Sequence, residues 1–378
     1  MSLIIGIIIG LLVLVFLVVV HELGHAIAAK RSGVVVEEFG IGFPPKAWGK
    51  KLKNGVLFTV NWLPLGGFVK LQGEHDAASK KGDYGRATFW QKTKILFAGV
   101  VVNWGVAVVL LTILALTGLP KIIPDQFVVP ADSTITRTPV TITSVSDDFP
   151  AAKAGIQPRD EIIAINNQPV ETTAGFIEAT KERRGESVAI TYERDGEART
   201  ADVALRDANE SVFGAALGQQ ETIRSTWSAP IVGVGTTIQF TVVTLQGLGQ
   251  LVSDFFSGLF LQLSPDEATR QQGATNLDTA ANSVAGPVGI LGVIFPAAGE
   301  AGVTQVLFLA AIISLTLAVM NTLPIPSLDG GRWFVTAAFK LFKKPLTKDT
   351  EEKIHGTGFM ALMALVILIT VADIGKFF

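Results

Sequence analysis

A run of eighteen apolar residues, Leu3 to Val20, ends directly at the motif His21-Glu22-Leu23-Gly24-His25. A segment of this length can cross a bilayer as a helix. On a helix, His21 and His25 are one turn apart on one face, the spacing of two zinc ligands, and Glu22 beside them can act as a general base. Two hydrogen-bonded packing histidines are the alternative, but this leaves Glu22 and the spacing unexplained. Ionisable residues at the end of a span are costly without partners and a role.

The composition indicates a polytopic α-helical membrane protein. Hydrophobic residues make up 49% of the 378 residues, charged residues 17%, and the mean hydropathy is +0.45. There is no cysteine, which excludes disulfides and thiolate metal sites. About four transmembrane helices are predicted, at residues 3–29, 95–118, 303–323 and 358–375. The first is expected to be retained, because no small-residue cleavage site follows a short apolar core.

A fifth stretch, residues 231–260, is nearly uncharged but rich in Gly, Thr and Gln. Its apolar residues recur at helical spacing, so we expect an amphipathic helix at the membrane surface. Charge supports four spans: Lys and Arg outnumber Asp and Glu by twelve to five in residues 30–94 and by six to four in 324–357, whereas residues 119–302 hold twelve against twenty-two. Basic short loops stay in the cytoplasm, so 119–302 and both termini are expected outside.

Residues 139–206 have the pattern of a small α+β domain. Alternating strands are predicted at 140–145, 187–194 and 198–205, and Asp195-Gly196 is a strong hairpin signal. The stretch resembles a circularly permuted bacterial PDZ domain, although Arg159 stands where that family usually has glycine. PDZ domains bind an extended peptide at a sheet edge. A domain that only excludes bulky substrates by its size is an equal alternative.

A third metal ligand is predicted after the third span. Two prolines two residues apart end that helix, and Asp329 is followed by Gly330-Gly331, which allows a tight turn. Two histidines and one carboxylate, with the fourth position left to water, are typical of catalytic zinc. The charge-derived topology brings both motifs to the cytoplasmic side, and a helix cap is the alternative role for Asp329.

Together, HELGH, the PDZ-like domain and the segment Asn321–Gly331 resemble the site-2 protease family of intramembrane zinc proteases. The likeness is nearest to the bacterial branch that cleaves membrane-bound anti-sigma factors and signal-peptide remnants. Other matching stretches are Phe39–Phe43, Leu63–Lys70, Ala98-Gly99 with Asn103, and Gly286–Ile290. This chain has Val100 where the family often has proline, and one PDZ-like unit where some relatives have two.

The resemblance implies a membrane-entering β-hairpin near residues 52–73, with Gly66, Gly67 and Phe68 holding substrate in an extended form. The residues alone predict an ordinary hairpin there. In the predicted mechanism a zinc site formed by His21, His25 and Asp329 hydrolyses a peptide bond, and Glu22 transfers the proton of the attacking water to the leaving amine. Asn321 is expected either to donate to the substrate or the oxyanion, or to cap the broken helix. His75 and His355 are expected to be solvated surface residues, and Asp373 to lie at the membrane interface.

The predicted protein is thus a bacterial inner-membrane zinc endopeptidase that cleaves single-span membrane proteins and takes peptide termini at its PDZ-like domain. No nucleic-acid partner is expected. A peptide-binding adaptor with a non-catalytic metal site, or a zinc transporter, is the alternative. The predicted domains are the first transmembrane helix with HExxH (1–30), a cytoplasmic, membrane-associated hairpin region (31–94), the second transmembrane helix (95–118), a linker (119–138), the extracytoplasmic PDZ-like domain (139–206), a linker with the surface helix (207–302), the third transmembrane helix with NxxPxPxLDG (303–331), a cytoplasmic segment (332–357) and the fourth transmembrane helix (358–378).

Overall fold

The apolar segments form long helices, and the acidic middle of the chain forms sheets. The computed structural model describes residues 3–208 and 211–377. These divide into two units. The helical unit extends to Thr117, includes Phe127–Val129 and resumes at Trp227, and the α+β unit comprises Gly118–Gln126 and Pro130–Thr226.

The helices in chain order are α1 Leu3–Arg31, α2 Phe89–Thr117, α3 Pro150–Lys153, α4 Thr173–Glu182, α5 Ala229–Gln262, α6 Glu267–Asn282, α7 Pro287–Gly289, α8 Phe295–Ala301, α9 Val303–Thr322, α10 Asp329–Leu341 and α11 Lys348–Phe377, with a π-helical segment at Ile290–Ile294. The strands are β1 Val36–Lys51, β2 Leu57–Leu71, β3 Leu119–Lys121, β4 Thr134–Arg137, β5 Val140–Val145, β6 Glu161–Ile165, β7 Gln168–Pro169, β8 Ser187–Arg194, β9 Glu197–Ala204, β10 Ala215–Gly218 and β11 Glu221–Arg224.

Among the described residues, five helices are long and apolar enough to cross a bilayer: α1, α2, α5, α9 and α11. A bent pair, α6 with Pro287–Ala301, meets the same criteria when taken together, with an angle of 48°. The polytopic helical fold is therefore confirmed. It has one helix of spanning length, α5, beyond the four that the sequence predicted.

Helix α5 contains threonines whose hydroxyl groups bond within the helix. The Thr237 hydroxyl donates to the Gly233 carbonyl, and the Thr241 hydroxyl to the Thr237 carbonyl, both at 2.7 Å. Such bonds reduce the cost of placing threonine in a bilayer. Gly233 lies against Thr112 of α2, and Trp104 of α2 donates to Thr241 at 3.3 Å, so the two helices run antiparallel. This packing argues against a purely superficial position for the first turns of α5; the surface position of the rest stays a prediction.

Strands β1 and β2 form a hairpin that begins before the predicted range 52–73, because β1 lies at 36–51 and the predicted glycine turn is part of β2; each strand bends back on itself. Gly40 of β1 pairs with both Thr59 and Phe68 of β2, while Trp48 pairs with Val60. The result is four arms, in the spatial order 46–51, 57–61, 38–41 and 67–70; the two outer pairs are antiparallel, whereas 57–61 and 38–41 align in the same direction. The last arm, which contains Gly67 and Phe68, is an edge of this sheet and packs towards α1.

The α+β unit contains a sheet of strand order β10-β5-β6-β8-β9, with β7 paired to β6, and a smaller sheet of order β3-β11-β4. The turn between β8 and β9 has positive φ at both Asp195 and Gly196, as the Asp-Gly signal predicted. The predicted boundary 139–206 is too short, because β10 pairs with β5 and belongs to the same sheet. The buried core lies between this sheet and α4 and includes Val140, Ile142, Ile162, Ile165, Phe176, Val188, Ile190 and Phe213.

Arg159 makes the turn without glycine, with a φ of +76°. The next residue, Asp160, is 1% exposed and accepts two bonds of 2.7 Å from the Arg194 guanidinium and one of 2.7 Å from the Gln157 amide. Burial by itself raises the pKa of Asp160, but these hydrogen bonds outweigh burial and hold the pKa below its usual value. The departure from the family pattern is therefore accommodated by backbone strain at one residue and a buried ion pair at the next.

Candidate metal centre and active site

His21 and His25 face α2 from one side of α1. Both side chains are buried, and their ring centroids are 4.7 Å apart. Gly99 of α2 makes this approach possible, because a Cβ at Gly99 would lie 2.6 Å from both His21 Cε1 and His25 Nε2. The missing side chain leaves the space in which both rings turn towards one point.

Asp329 reaches the same point because the chain turns sharply between α9 and α10. The Pro-Ile-Pro segment follows the end of α9, and Ser327 has a φ of +81°. Gly331 packs against the backbone of the turn, where a Cβ would lie 1.9 Å from the Ile325 carbonyl oxygen. Asp329 is the first residue of α10 and therefore projects from the end of this turn.

The three predicted ligands form a nearly equilateral triangle. His21 Nε2 lies 3.1 Å from His25 Nε2 and 3.1 Å from Asp329 Oδ2, and His25 Nε2 lies 3.2 Å from Asp329 Oδ2. A tetrahedral zinc ion with ligand distances of about 2.0–2.1 Å places its ligand atoms about 3.3 Å apart. The donor set and spacing therefore fit one face of a zinc tetrahedron. In the part of the chain that the structure describes, no other group of three such side chains converges in this way.

His25 is held by a second hydrogen bond. Its Nδ1 donates to the Ile95 carbonyl oxygen at 2.8 Å. Because Nδ1 carries the proton, the lone pair of Nε2 is free for a metal ion. The bond also fixes the ring plane, since Ile95 belongs to α2 and is buried.

Glu22 lies beside the ligands on a different face of α1. Its carboxylate faces the Val69 backbone amide on the edge arm of β2. A Cβ at Gly67 would lie 3.5 Å from Glu22 Cγ. Glu22, His25 and Asp329 all line one cavity of about 790 Å³, together with Phe68. The predicted base is thus next to both the metal ligands and the hairpin.

Two other predicted site residues lie further away. Gly66 has a φ of +97° and packs against the Phe43 ring, and it does not line the described cavity. The Asn321 amide donates to the Leu317 carbonyl of its own helix at 3.0 Å. Asn321 needs another rotamer to meet a substrate, so its role as a donor stays a prediction.

Arg332, one turn after Asp329, ties α10 to its surroundings. Its guanidinium donates to the Glu74 carboxylate at 2.8 Å and to the Glu74 carbonyl, lies 3.7 Å from Glu351, and covers the Tyr84 ring at 4.7 Å. Burial disfavours the charge of Arg332, but the partners of its guanidinium raise its pKa, so the charge is retained. The sequence analysis missed this group, since its members are far apart in the chain; the arginine directly after Asp-Gly-Gly was the available signal.

The prediction that His355 is a solvated surface residue was wrong, because its Nε2 is buried, whereas His75 keeps 35% of its side chain exposed; both line the cavity. His355 Nδ1 accepts a bond of 3.2 Å from the Ser327 amide, and His75 lies 3.5 Å from Glu352. Asp373 is 1% exposed and accepts a bond of 2.8 Å from the Gly289 backbone amide, and its place at the membrane interface stays a prediction. These contacts join α11 to the turn before Asp329 at one end and to α7 at the other.

Comparison with known proteins agrees with this geometry. The sequence profile of peptidase family M50 matches residues 9–365. The chain belongs to peptidase family M50, the site-2 proteases. It is 32% identical over 375 residues to a Clostridium perfringens protein named among the zinc metalloproteases, covering 97% of this chain and 98% of that one. It is 25% identical over 447 residues to the regulator of sigma-W protease RasP of Bacillus subtilis, covering 96% of each chain.

Among solved structures, the PDZ domain of an SdrC-like protein from Listeria monocytogenes is 26% identical, with a TM-score of 0.19, and covers 21% of this chain and 86% of that one. Family membership and the donor set together make this M50 peptidase a multi-pass, inner-membrane zinc metalloprotease. The predicted family, enzyme class and cofactor are confirmed.

Proposed function

We propose that this M50 peptidase cleaves the membrane-spanning segments of single-span proteins, of the kind found in anti-sigma factors and signal-peptide remnants. The observation that carries this proposal is that two of the three metal ligands, His21 and His25, lie inside a helix of spanning length, beside an edge arm of the β1–β2 sheet. The name of the Bacillus subtilis relative, a regulator of sigma-W protease, supports the class of substrate.

Glu22 is proposed as the general base. When bound, zinc polarises the scissile carbonyl and makes a water molecule at the site more acidic. Glu22 takes the proton of the attacking water and delivers it to the leaving amine. Its place between His21 and the edge arm of β2 lets one carboxylate reach both the water and the leaving group of an extended substrate.

The edge arm of β2 is proposed to hold the substrate. A peptide bond within a helix is shielded, so a membrane segment must be extended before hydrolysis. Backbone groups of the arm that contains Gly67 and Phe68 are placed to pair with an extended segment, as in strand addition. The position of Gly67 against Val18 and Glu22 keeps this pairing close to the base.

The active site is proposed to lie towards the cytoplasm, with the α+β unit outside. The basic residues 30–94 and the acidic middle of the chain support this orientation. If both α5 and the bent pair α6 with Pro287–Ala301 cross the membrane, the chain returns to the side from which α5 started. Residues 324–357 then remain on the cytoplasmic side. Because the chain has no cysteine, Lys153→Cys and Lys353→Cys report the two sides cleanly. We expect an impermeant maleimide to label only the first in intact spheroplasts; labelling of only the second inverts the proposal.

The α+β unit is proposed to bind a peptide terminus. Its sheet ends at β10, and a cavity of about 180 Å³ lies between β10 and α4, lined by Phe176, Ile177, Thr180, Phe213 and Leu217. An edge strand beside a helix is the arrangement through which PDZ domains take peptides. Binding of C-terminal peptides that Leu217→Arg abolishes in the intact protein supports this role. If no terminal peptide binds and Leu217→Arg changes only the size of substrate admitted, the unit is a steric filter.

The proposed activity is tested with purified protein in nanodiscs and a panel of single-span peptides, read by mass spectrometry. We expect cleavage within the membrane segment, loss of cleavage with a zinc chelator, and recovery on adding zinc. Absence of chelator-sensitive cleavage for every peptide contradicts the proposal. A peptide-binding adaptor predicts instead that peptides bind equally well to wild type and to Glu22→Gln and that neither protein cleaves them.

A further inference from the structure

Asn103 carries a buried side-chain amide in the middle of α2. It is 1% exposed, and neither its Oδ1 nor its Nδ2 has a hydrogen-bond partner among the described residues. Its backbone carbonyl accepts the Ser314 hydroxyl at 2.8 Å, which places Asn103 where α2 meets α9. A buried amide in a membrane helix is costly unless a partner satisfies it, so its presence requires an explanation.

His21 also has a buried polar atom for which the described residues provide no hydrogen-bond partner. Its Nε2 points to the metal position, while its Nδ1 is buried and has no partner in the described part of the chain. His25 differs, because its Nδ1 donates to Ile95. A histidine that binds a metal through Nε2 usually donates Nδ1–H to an acceptor that fixes its tautomer and ring plane. His21 therefore needs an acceptor within a buried helix interface.

The packing register places Asn103 at the level of His21. Helices α1 and α2 run antiparallel, since His25 bonds to Ile95, whereas His21, one turn earlier on α1, lies against Gly99, one turn later on α2. Asn103 lies one helical turn after Gly99 on α2. Because the helices are antiparallel, the same step along the interface moves one turn back on α1, from His25 to His21 and from His21 to Leu17. Gly99 lies at the level of His25 and His21, so Asn103, one turn further along the interface, lies at the level of His21 and Leu17.

We propose that Asn103 is the positioning residue of His21: its amide oxygen accepts the His21 Nδ1–H, directly or through one water molecule. The bond holds His21 in the tautomer whose Nε2 lone pair faces zinc, as Ile95 does for His25. The two ligands on α1 are then oriented by two acceptors about two turns apart on α2. Zinc affinity depends on α2 through these acceptors, although α2 supplies no ligand.

The proposal is tested with the full chain in nanodiscs by zinc competition against a chelator. Asn103→Leu keeps the size of the side chain but removes the acceptor, and we expect zinc affinity to fall by about 10- to 100-fold. Asn103→Asp keeps an acceptor and is expected to stay within a few-fold of wild type. Thr236→Val is the matched control, because Thr236 on α5 is also fully buried with an unpaired hydroxyl, and its loss should leave zinc affinity unchanged. Unchanged affinity in Asn103→Leu, or equal losses in Asn103→Leu and Thr236→Val, overturns the proposal.

A second measurement applies even when Asn103→Leu fails to fold. In zinc-loaded protein labelled with ¹⁵N-histidine, the four histidines give few Nδ1 signals. We expect Asn103→Asp to shift the Nδ1 signal of His21 and to leave that of His25 in place, because the acceptor of His25 is the Ile95 carbonyl. A His21 signal that does not move, in a variant with normal thermal stability, shows that Asn103 serves helix packing alone.

Discussion

Each of the two units contains an inward-facing carboxylate, and the partners of the two carboxylates differ in charge. In the α+β unit, Asp160 is enclosed and fully satisfied by Arg194 and the Gln157 amide. In the helical unit, Asp329 faces His21 and His25, and no lysine or arginine pairs with it in the described ranges 3–208 and 211–377. The first set of partners is complete within the chain, while the second needs a cation from outside.

This difference separates a structural ion pair from a metal site. A carboxylate buried with its arginine stabilises one turn and has no capacity left for a ligand. A carboxylate grouped with two imidazoles presents three lone-pair donors to one point, and a zinc ion is the cation that binds such a set. The predictions below test whether the two carboxylates can be distinguished by experiment in this way.

The largest expected effect is that of Asp329→Ala. With only two ligands left, zinc affinity should fall at least about 100-fold and cleavage should become undetectable. The matched change Asp160→Ala should leave zinc affinity within about two-fold of wild type, although it destabilises the α+β unit. Chelator competition on both variants checks this. Equal zinc binding by Asp329→Ala and wild type contradicts the assignment of the third ligand.

Glu22→Gln should retain zinc and lose activity. Removal of the base is expected to lower the cleavage rate by about 10²- to 10⁴-fold, because glutamine cannot accept the proton of the attacking water. Single-turnover cleavage of a membrane peptide, with zinc content measured on the same sample, tests this. Full activity in Glu22→Gln removes Glu22 from the mechanism, and loss of zinc assigns it to the metal site instead.

Arg332→Met should have an intermediate effect. Its loss leaves Glu74 and Glu351 without their shared cation and frees the first turn of α10, so we expect cleavage to fall about 10-fold and stability to fall by roughly 3 kcal/mol. Arg194→Met is the control in the other unit, where a similar loss of stability should leave cleavage of membrane peptides unchanged. If both variants lose activity equally, the contacts of Arg332 have no special relation to Asp329.

The smallest expected effect is a loss of stability of the α+β unit at low pH. Because the pKa of Asp160 is lower in the folded protein than in the unfolded chain, its stabilisation is present above the unfolded pKa of about 3.9 and is lost as pH falls through the lower, folded value. The α+β unit should therefore weaken below about pH 4, and Asp160→Asn should reduce that dependence. Fluorotyrosine NMR can follow this, since the chain has two tyrosines and only Tyr192 lies in the α+β unit. Acid weakening that is identical in Asp160→Asn excludes this carboxylate as its source.

Much of the site was predictable because its signals are local. The spacing of His21, Glu22 and His25 on one helix, and the two glycines after Asp329, constrain the chain within a few residues. The hairpin at Asp195-Gly196 was predictable for the same reason. By contrast, the contacts of Arg332 with Glu74 and of His355 with Ser327 join segments distant in the chain, and no local pattern reports them.

Helix α5 shows what composition alone leaves open. Threonine and glycine lower the apolar signal of a segment, yet the threonine hydroxyls bond to carbonyls one turn earlier and glycine allows close packing on α2. Whether such residues face water or another helix depends on the neighbour that the tertiary structure supplies. The sheet boundary at β10 was missed in the same way, because strand pairing across distant positions decides it.

The sequence by itself determined the membrane class and the presence of a separate α+β unit, and it predicted the metal ligands and the general base from residue types and their spacing. The tertiary structure decided the geometry, namely the 3.1–3.2 Å ligand triangle, the edge arm beside Glu22 and the Ile95 carbonyl that orients His25. The physical reason is the distance along the chain over which each kind of interaction acts. Helix periodicity and turn preferences act over a few residues, whereas ligand separation depends on the packing of α1, α2 and α10, which the sum of many weak contacts decides.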